Sequence, residues 1–403
     1  VPPDRPRRRS AAVAVASNEE TGIIMETISP FSEEHEIFRG SLRNFLAKEL
    51  SPNVEAWEEQ HVPDKSFWRK AGAAGFLGAG LPEAYGGPGG DFLHHVVVAE
   101  ELGRCAGGAS IGVGLQSDLP AFHILNFGTE EQKQYWLPRI VSGEAITTVA
   151  MTEPSTGSDL ASIRTTATRE GDEYVVRGSK VYISGGQIAD LIVLAVKTDP
   201  TAGSKGVSLM LLDANTKGLR KGRVLKKMGM KAGDNVELFF DDMRVPASCL
   251  LGKEGQGFPI LMSELPRERL VIAARALSEA QLAFDLTCDF VKQRIAFGKK
   301  VIEFQNTQFQ LATLKAELAV GRAYLNESLL LAVRGVLDNT RSAIAKLWIT
   351  EMQGRVVDQC VQLHGGSGYM DEYPISKLYT AARVTRIYGG SSEIMRLSIA
   401  RTL

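Results

Sequence analysis

Hydrophobic positions recur at helical spacing from Ser32 onward. In SEEHEIFRGSLRNFLAKEL, Ser32 stands where an N-cap belongs, and Ile37, Leu42, Phe45 and Leu46 fall near one face, which predicts an amphipathic helix. DKSFWRKAGAAGFLGAG and DFLHHVVVAEELGRCAG predict two more, separated by the turn-forming LPEAYGGPGG. GTEEQKQYWLPRIVSG adds another, capped by Thr129, with Glu130 and Glu131 in the first turn, where their charge complements the helix dipole. Residues 25–145 are therefore expected to form an N-terminal helical domain.

The pattern then changes. EYVVRGSKVYISGG, DLIVLAVKTD, GVSLMLLDA and NVELFFDDMRVP are short β-branched or aromatic runs bounded by Gly, Asp and Pro. They predict a middle β domain, a barrel or sandwich, over residues 146–251. GKEGQGF (252–258) reads as a glycine-rich linker. Beyond it helical spacing returns through RERLVIAARALSEAQLAFDLTCDFVKQRIAF, EFQNTQFQLATLKAELAVGRAYLNESLLLAV and NTRSAIAKLWITEMQGRVVDQCVQLHGG, then the shorter PISKLYTAARVTRIYGG and SSEIMRLSIARTL. Long helices joined by short connections pack as a bundle, so residues 252–403 are expected to form a C-terminal four-helix bundle. The fold class is mostly α with a central β domain.

Composition narrows the function. A chain of 403 residues holds two or three domains with cores of their own. Net charge is −1 with no block of like charge in the main body, so no nucleic-acid partner is indicated. No apolar run approaches the roughly 20 residues of a membrane span. Cys105, Cys249, Cys288 and Cys360 are scattered without a CxxC, which fits a reducing, cytoplasmic setting. The histidines form no HExxH and no ligand cluster, so no metal is expected. Residues 1–24 lack periodicity and are set aside as a leader. They read as an expression leader, an upstream reading of the start, or a transit peptide, which would place the protein in the mitochondrial matrix; Glu19 and Glu20 argue against transit.

Three segments carry candidate chemistry. AMTEPSTGSD (150–159) gathers hydroxyls, a carboxylate, a proline and a glycine in one loop, whose successive N–H groups would cradle an anion, or simply close a tight turn. KQRIAFGK (292–299) is the second. QLHGGSGYMDEYPISKLYTAARVTRIYGGSSEIMR (362–396) is Gly-dense for a helical region, which implies close approach of backbone to something flat or bulky.

In this order and spacing the three resemble the acyl-CoA dehydrogenase family of flavoproteins, over nearly all of residues 30–403. TEEQ, MTEP, GSDL, LFFDDMRVPAS, ELPRERL and IYGGSSEIM are similar to its long-chain branch. The resemblance implies non-covalent FAD, a homotetramer, an acyl-CoA or acyl-carrier-protein thioester as substrate, and an electron-transfer flavoprotein as acceptor. It assigns Val149, Met151, Thr152, Gly157 and Ser158 to the flavin and its phosphates, and Tyr182, Ile183 and Ser184 to the flavin ring, Ser184 near N5; by itself Ser184 is also an ordinary strand-end serine. Arg294 and Phe297 match residues gripping the adenine dinucleotide from a neighbouring subunit. Gln305, Gln362, Gly365, Gly366, Ser391 and Glu393 match further cofactor positions. Ser158, Leu265, Arg269, Tyr388, Gly390 and Arg401 match substrate positions, although both arginines also read as solvated surface residues. Two departures stand out: Ser155–Thr156 replaces the usual Gly-Ala, and Ala381 replaces the usual Asp.

A third departure concerns the reaction. In most of the family a glutamate follows Ile-Tyr and removes the α-proton of the thioester; here that position is Gly389. Glycine keeps the backbone N–H that holds the thioester oxygen and loses only the base. Glu268, in ELPRERL, matches the position from which the long-chain and isovaleryl branches supply theirs. On a helix it shares a face with Leu265 and Ile272, where a carboxylate is desolvated and its proton affinity rises. If Pro266 opens the helix, Glu268 is instead an N-terminal supporting residue. Glu264 is a second candidate. Other readings are a relative using oxygen directly, as an oxidase or monooxygenase, and a non-catalytic binding protein that inherited the fold.

Overall fold

The first helix, α1 (Glu33–Glu49), begins at Ser32 as expected, but Ile37 is 65% exposed and the buried face is His35, Leu42 and Leu46. His35 is drawn inward by capping. In this computed structural model, which describes residues 28–105 and 113–403, the Ser32 N–H donates to His35 Nδ1 at 3.0 Å and His35 Nε2 meets Asp91 Oδ1 at 2.9 Å. The expected leader lies outside the described residues. After α2 (Val54–Gln60) and α3 (Ser66–Ala73), Asp91 caps α4 (Phe92–Gly103). Its own N–H donates to His94 Nδ1 at 3.1 Å. The sequence reading found no histidine cluster, yet His35, Asp91 and His94 bring ligand atoms within 4.8 Å of one another. Both Nδ1 lone pairs already accept capping N–H bonds, so the group is two interlocked helix caps. Burial opposes ionisation of Asp91, but hydrogen bonds from the His35 ring and the His94 backbone N–H outweigh it and hold the carboxyl well below the usual range.

A helix that the hydrophobic pattern did not reveal, α5 (Val113–Phe127), precedes α6 (Glu130–Val141), which Thr129 caps as expected. VGLQSDLPAFHILNF is apolar on several sides and contains Pro120, so no single stripe marks it.

The middle region is one eight-stranded sheet. Its strands are β1 (Thr147–Ala150), β2 (Thr166–Glu170), β3 (Glu173–Ser184), β4 (Leu191–Lys197), β5 (Val207–Asp213), β6 (Leu219–Val224), β7 (Asn235–Pro246) and β8 (Leu250–Leu251). The order is β6-β7-β3-β2-β4-β5-β8, with β1 beside β4 in parallel register, Thr147 opposite Leu191. β4 is buried along its whole length because both of its faces are covered. Ile192, Leu194 and Val196 join Val236, Leu238 and Phe240 in a core enclosed by the folded-over sheet. Leu191, Val193 and Ala195 face Ile124, Leu137 and Ile140 of α5 and α6.

The chain then enters α7 (Gly257–Gln293), 37 residues long. The expected linker is partly helical: α7 runs through Pro266, so Glu268 lies in its interior and not at an N-terminus. At its other end the helix stops before the expected RIAF. Ile295–Ala296 (β9) pairs with Lys299–Lys300 (β10) in a hairpin turned by Phe297 and Gly298 at positive φ. α8 (Gln305–Val333) returns, α9 (Asn339–His364) runs parallel to α7, and α10 (Pro374–Thr385) and α11 (Ser392–Ala400) finish the chain. The parallel register shows in two contacts: Gln353 Nε2 donates to Glu279 Oε2 at 2.5 Å, and His364 stacks on Phe290 at 4.4 Å. The N-terminal helices and the C-terminal bundle share one hydrophobic core. Buried Glu100 of α4 ties them further, meeting Arg39 at 2.8 Å and Arg322 of α8 at 2.5 Å. Among the described residues no helix is long and apolar enough to cross a membrane.

Candidate active site

The Gly389–Gly390 turn between α10 and α11 lies against α7. Both glycines have positive φ, 62° and 89°. A Cβ on Gly389 would stand 2.3 Å from Ile272 Cδ1 and 3.8 Å from Glu268 Oε1. Ile272 is one helical turn beyond Glu268, so the two side chains line one strip of α7, and the turn sits directly over it. The glycine is required twice, by backbone conformation and by this approach.

The turn is held from several sides. Lys346 of α9 donates to the Gly390 carbonyl oxygen at 2.6 Å. Glu351 of α9 accepts from Ser392 Oγ at 2.7 Å and from Arg386 at 3.2 Å. Arg275 of α7 donates to the Tyr388 hydroxyl, and Glu279 lies 3.5 Å from the same guanidinium. Burial pushes both the Glu279 carboxyl and the Tyr388 phenol up. None of these anchors was singled out in the sequence. Lys346, Glu351 and Arg275 are single charged residues in helical runs, and only the packing of three helices aims them at one turn.

Glu264, Arg267 and Glu268 of α7 line a cleft with Phe92 and His95 of α4, Leu119 and Phe122 of α5, and Val271 of α7. Glu264 is engaged there, accepting from Asn126 Nδ2 at 2.8 Å. Arg269 is 4% exposed and donates to Asn339, so it is no solvated surface arginine; burial lowers its proton affinity. Leu265 is half-buried beside this strip, whereas Arg401 is exposed after α11. Ser391 caps α11 and Glu393 in its first turn is exposed.

A second surface comes from the β domain. β1 carries half-buried Val149 into the loop of Met151 and Thr152. Lys180 of β3 pins that loop, donating to Met151 O and to Glu153 Oε1, both at 2.9 Å. Burial pushes the Lys180 ammonium down to about 8, with Glu153 opposing the fall. The Ser155–Thr156 departure sits in a tight turn closed by mutual Glu153–Thr156 backbone bonds of 2.9 and 3.1 Å. Gly157 and Ser158 beyond it are exposed. The pairing of β3 with β7 is irregular between Lys180 and Ile183, and in that irregularity Tyr182 takes φ 62° and projects outward, 66% exposed. Ile183 points into the sheet core, so only its backbone is available to a ligand. Asn235, a residue that sequence reasoning missed, donates to Tyr182 O at 3.0 Å and to Ser184 Oγ at 2.9 Å. With its oxygen occupied, the exposed Ser184 hydroxyl has its proton left to donate. An exposed aromatic ring on strained backbone beside a poised hydroxyl fits the isoalloxazine of FAD.

The remaining candidates lie elsewhere. Arg294, Phe297, Gln305, Gln362, Gly365 and Gly366 are all exposed at the far end of the bundle, Phe297 at 96%. At the helical rise of 1.5 Å per residue, Arg294 is roughly 39 Å along α7 from Glu268. One chain thus carries two separate groups of candidate cofactor residues. Ala381 borders a small cavity with Lys231 and Lys377, whose charges are met by Asp371 at 3.6 Å and Glu58 at 2.7 Å.

Comparison with known proteins agrees along the chain. Family models described as acyl-CoA dehydrogenase N-terminal, middle and C-terminal domains match residues 32–144, 148–243 and 255–403. The chain is 46% identical to the mitochondrial long-chain specific acyl-CoA dehydrogenase of Rattus norvegicus over 377 residues, 93% of this chain and 87% of that protein. The crystal structure of an acyl-CoA dehydrogenase from Geobacillus kaustophilus superposes with TM-score 0.91 at 48% identity, covering 92% of this chain and 98% of that one. A glutaryl-CoA dehydrogenase from Mycobacterium smegmatis, solved in complex with FADH2, has TM-score 0.85 at 29% identity and covers 93% and 95%. The chain belongs to the acyl-CoA dehydrogenase family and is a flavin-dependent oxidoreductase of acyl-CoA thioesters whose cofactor is FAD.

Proposed function

We propose that this enzyme oxidises a long-chain or branched acyl-CoA to its trans-2-enoyl thioester, with Glu268 as the base that removes the α-proton. The observation that carries this reading is the 3.8 Å between Glu268 Oε1 and the point where a side chain at 389 would begin. A carboxylate absent from one backbone is delivered to the same place from another.

FAD, when bound, supplies the hydride acceptor for the β-hydrogen. The chain supplies the rest. The Gly389 N–H donates to the thioester oxygen and stabilises the negative charge that develops there as the α-proton leaves. Glu268 receives that proton in a half-buried strip beside Ile272, where water competes poorly for its oxygens. Phe92, Leu119, Phe122 and Val271 give the cleft beside Glu268 an apolar side for the acyl chain, with His95 and Arg267 also lining it. Val149, Thr152, Ser158, Tyr182, Ser184, Ser391 and Glu393 hold the cofactor near these groups. Arg294, Phe297, Gln305, Gln362, Gly365 and Gly366, too distant within one chain, serve the cofactor of a neighbouring subunit in a homotetramer. Electrons then pass to an electron-transfer flavoprotein.

The test is anaerobic. Acyl-CoA added to the yellow wild-type enzyme bleaches the flavin, whereas Glu268→Gln retains FAD and bleaches at least about 100-fold more slowly. Unchanged bleaching in that variant places the base elsewhere. A panel of straight and branched acyl-CoA thioesters, read the same way, fixes the chain length.

A further inference from the structure

Lys346 has 0% exposure in the interior of α9. A buried ammonium carries a desolvation penalty that a methionine of similar length would avoid. Its ammonium is spent on one structural target, the Gly390 carbonyl oxygen at 2.6 Å, a charge-assisted bond. That carbonyl belongs to two successive glycines at positive φ, whose backbone no Cβ restrains. Arg275 holds the same turn one residue earlier, at Tyr388.

The charged groups that face Lys346 come from three helices. Lys346 and Glu268 meet the same two-residue turn, the ammonium 2.6 Å from the Gly390 carbonyl oxygen and Glu268 Oε1 3.8 Å from where a Cβ at 389 would stand. Arg269 of α7, Glu351 of α9 and Glu393 of α11 also act on the ammonium through their charge. Burial and Arg269 push the ammonium down, to about 8, and the three carboxylates oppose that fall. Below that pH the lysine carries its proton and acts on Glu268 as a nearby cation.

We propose that Lys346 is a positioning residue for α-proton abstraction. It fixes the Gly389–Gly390 turn so that the Gly389 N–H meets the thioester oxygen, and it places a positive charge behind Glu268 that favours the ionised base. The proposal rests on Glu268 being the base. It goes further by giving the turn and the base one common support, on a helix that contributes no reacting group.

The experiment compares Lys346→Met, Lys346→Gln and Lys346→Arg in the FAD-loaded enzyme. It measures the pH dependence of anaerobic flavin bleaching between about pH 5 and pH 8, with solvent-deuterium uptake at the substrate α-carbon as a second readout. Loss of the cation disfavours the carboxylate, so the pH midpoint for bleaching rises by roughly one unit in both neutral variants. Lys346→Met also loses the bond to Gly390 and slows kcat by about 10- to 100-fold with little change in KM. Lys346→Gln, which can still donate to Gly390, retains more of the rate, and Lys346→Arg retains the wild-type midpoint. If Lys346→Met fails to retain FAD, Lys346→Gln carries the test. Neutral variants with the wild-type midpoint and deuterium uptake overturn the role of Lys346 and leave Glu268 as base. A Glu268→Gln enzyme that still bleaches overturns the base and this proposal together.

Discussion

Replacing Gly389 with alanine tests the close approach on which the active site is built. At φ 62° a Cβ costs about 1–2 kcal/mol in backbone strain alone. The new Cβ would lie 2.3 Å from Ile272 Cδ1, where carbon–carbon contacts settle near 3.5–4.0 Å. The methyl must retreat by more than ~1 Å into a buried environment, an overpacking cost of about 1–3 kcal/mol. Gly389→Ala should therefore lose about 2–5 kcal/mol. Ile272→Val removes the obstructing methyl and by itself costs about 0.5–1.5 kcal/mol. In the double variant the steric part disappears and the strain remains, so the two changes should couple favourably by at least ~1 kcal/mol. Urea unfolding at fixed protein and FAD concentrations measures each corner of the cycle. Because alanine keeps the N–H, bleaching should be slowed in Gly389→Ala and partly restored in the double variant. Effects that add to within ~0.5 kcal/mol would show that Ile272 is not what the glycine makes room for.

Other perturbations probe the supports. Glu153→Gln breaks a buried pair with Lys180 and frees the Thr152 loop; stability should fall by about 3 kcal/mol and FAD content with it, both read from thermal melts and the flavin spectrum. Glu100→Gln leaves Arg39 and Arg322 facing a neutral group and should cost about 3 kcal/mol at pH 7. Burial works against the Glu100 charge, but the two arginines win and hold its carboxyl low. Its contribution is therefore present above the unfolded carboxylate range near pH 4.5 and is lost as pH falls through the folded value, so wild type and Glu100→Gln should converge in acid. Asp91→Ala removes one helix cap and the partner of another and should cost about 1–2 kcal/mol by urea midpoint, with no change in the flavin spectrum.

The broad fold was legible because its signals are local. Ser32 and Thr129 announced their helices by capping chemistry, and β4 and β5 announced themselves as apolar runs too short for helices. Where local signals mislead, a tertiary cause can be named. Ile37 fits the apolar stripe of α1, but His35 takes the inward place because Asp91 of another helix holds it there. Pro266 looks like a helix start, yet α7 began earlier, because Gly257, Ile260 and Leu261 are buried and packing overrode the glycine-rich composition of the supposed linker. α5 escaped notice because its apolar residues are not confined to one stripe.

The active site divides along the same line. Glu268, Gly389, Tyr182 and Ser184 were proposed from sequence because the resemblance to a family assigned them roles. Asn235, Lys346, Arg275 and Glu351 were not, because each acts on a neighbour fixed only by folding. Asn235 meets Ser184 only because β3 and β7 pair in that register. Lys346 meets Gly390 only because α9 lies parallel to α7 under the C-terminal turn.

With Glu268 as the proposed base, position 389 illustrates why a missing catalytic residue need not mean a missing function. The geometry constrains where a carboxylate must be, and the backbone that carries it is secondary. Glu268 and a side chain at 389 would draw on the same space, with Ile272 completing its wall. Once α7 supplies the carboxylate, a side chain at 389 adds collision and backbone strain. What the turn must still provide is an N–H at a fixed place, and glycine provides it provided that something else supplies the rigidity glycine lacks. The structure supplies that rigidity from outside, through Arg275 at Tyr388, Lys346 at Gly390 and Glu351 at Ser392. On the proposed reading, the departure from the usual glutamate, the buried lysine and the carboxylate within α7 are parts of one arrangement, in which proton acceptor and oxygen-binding N–H come from different elements held together by α9.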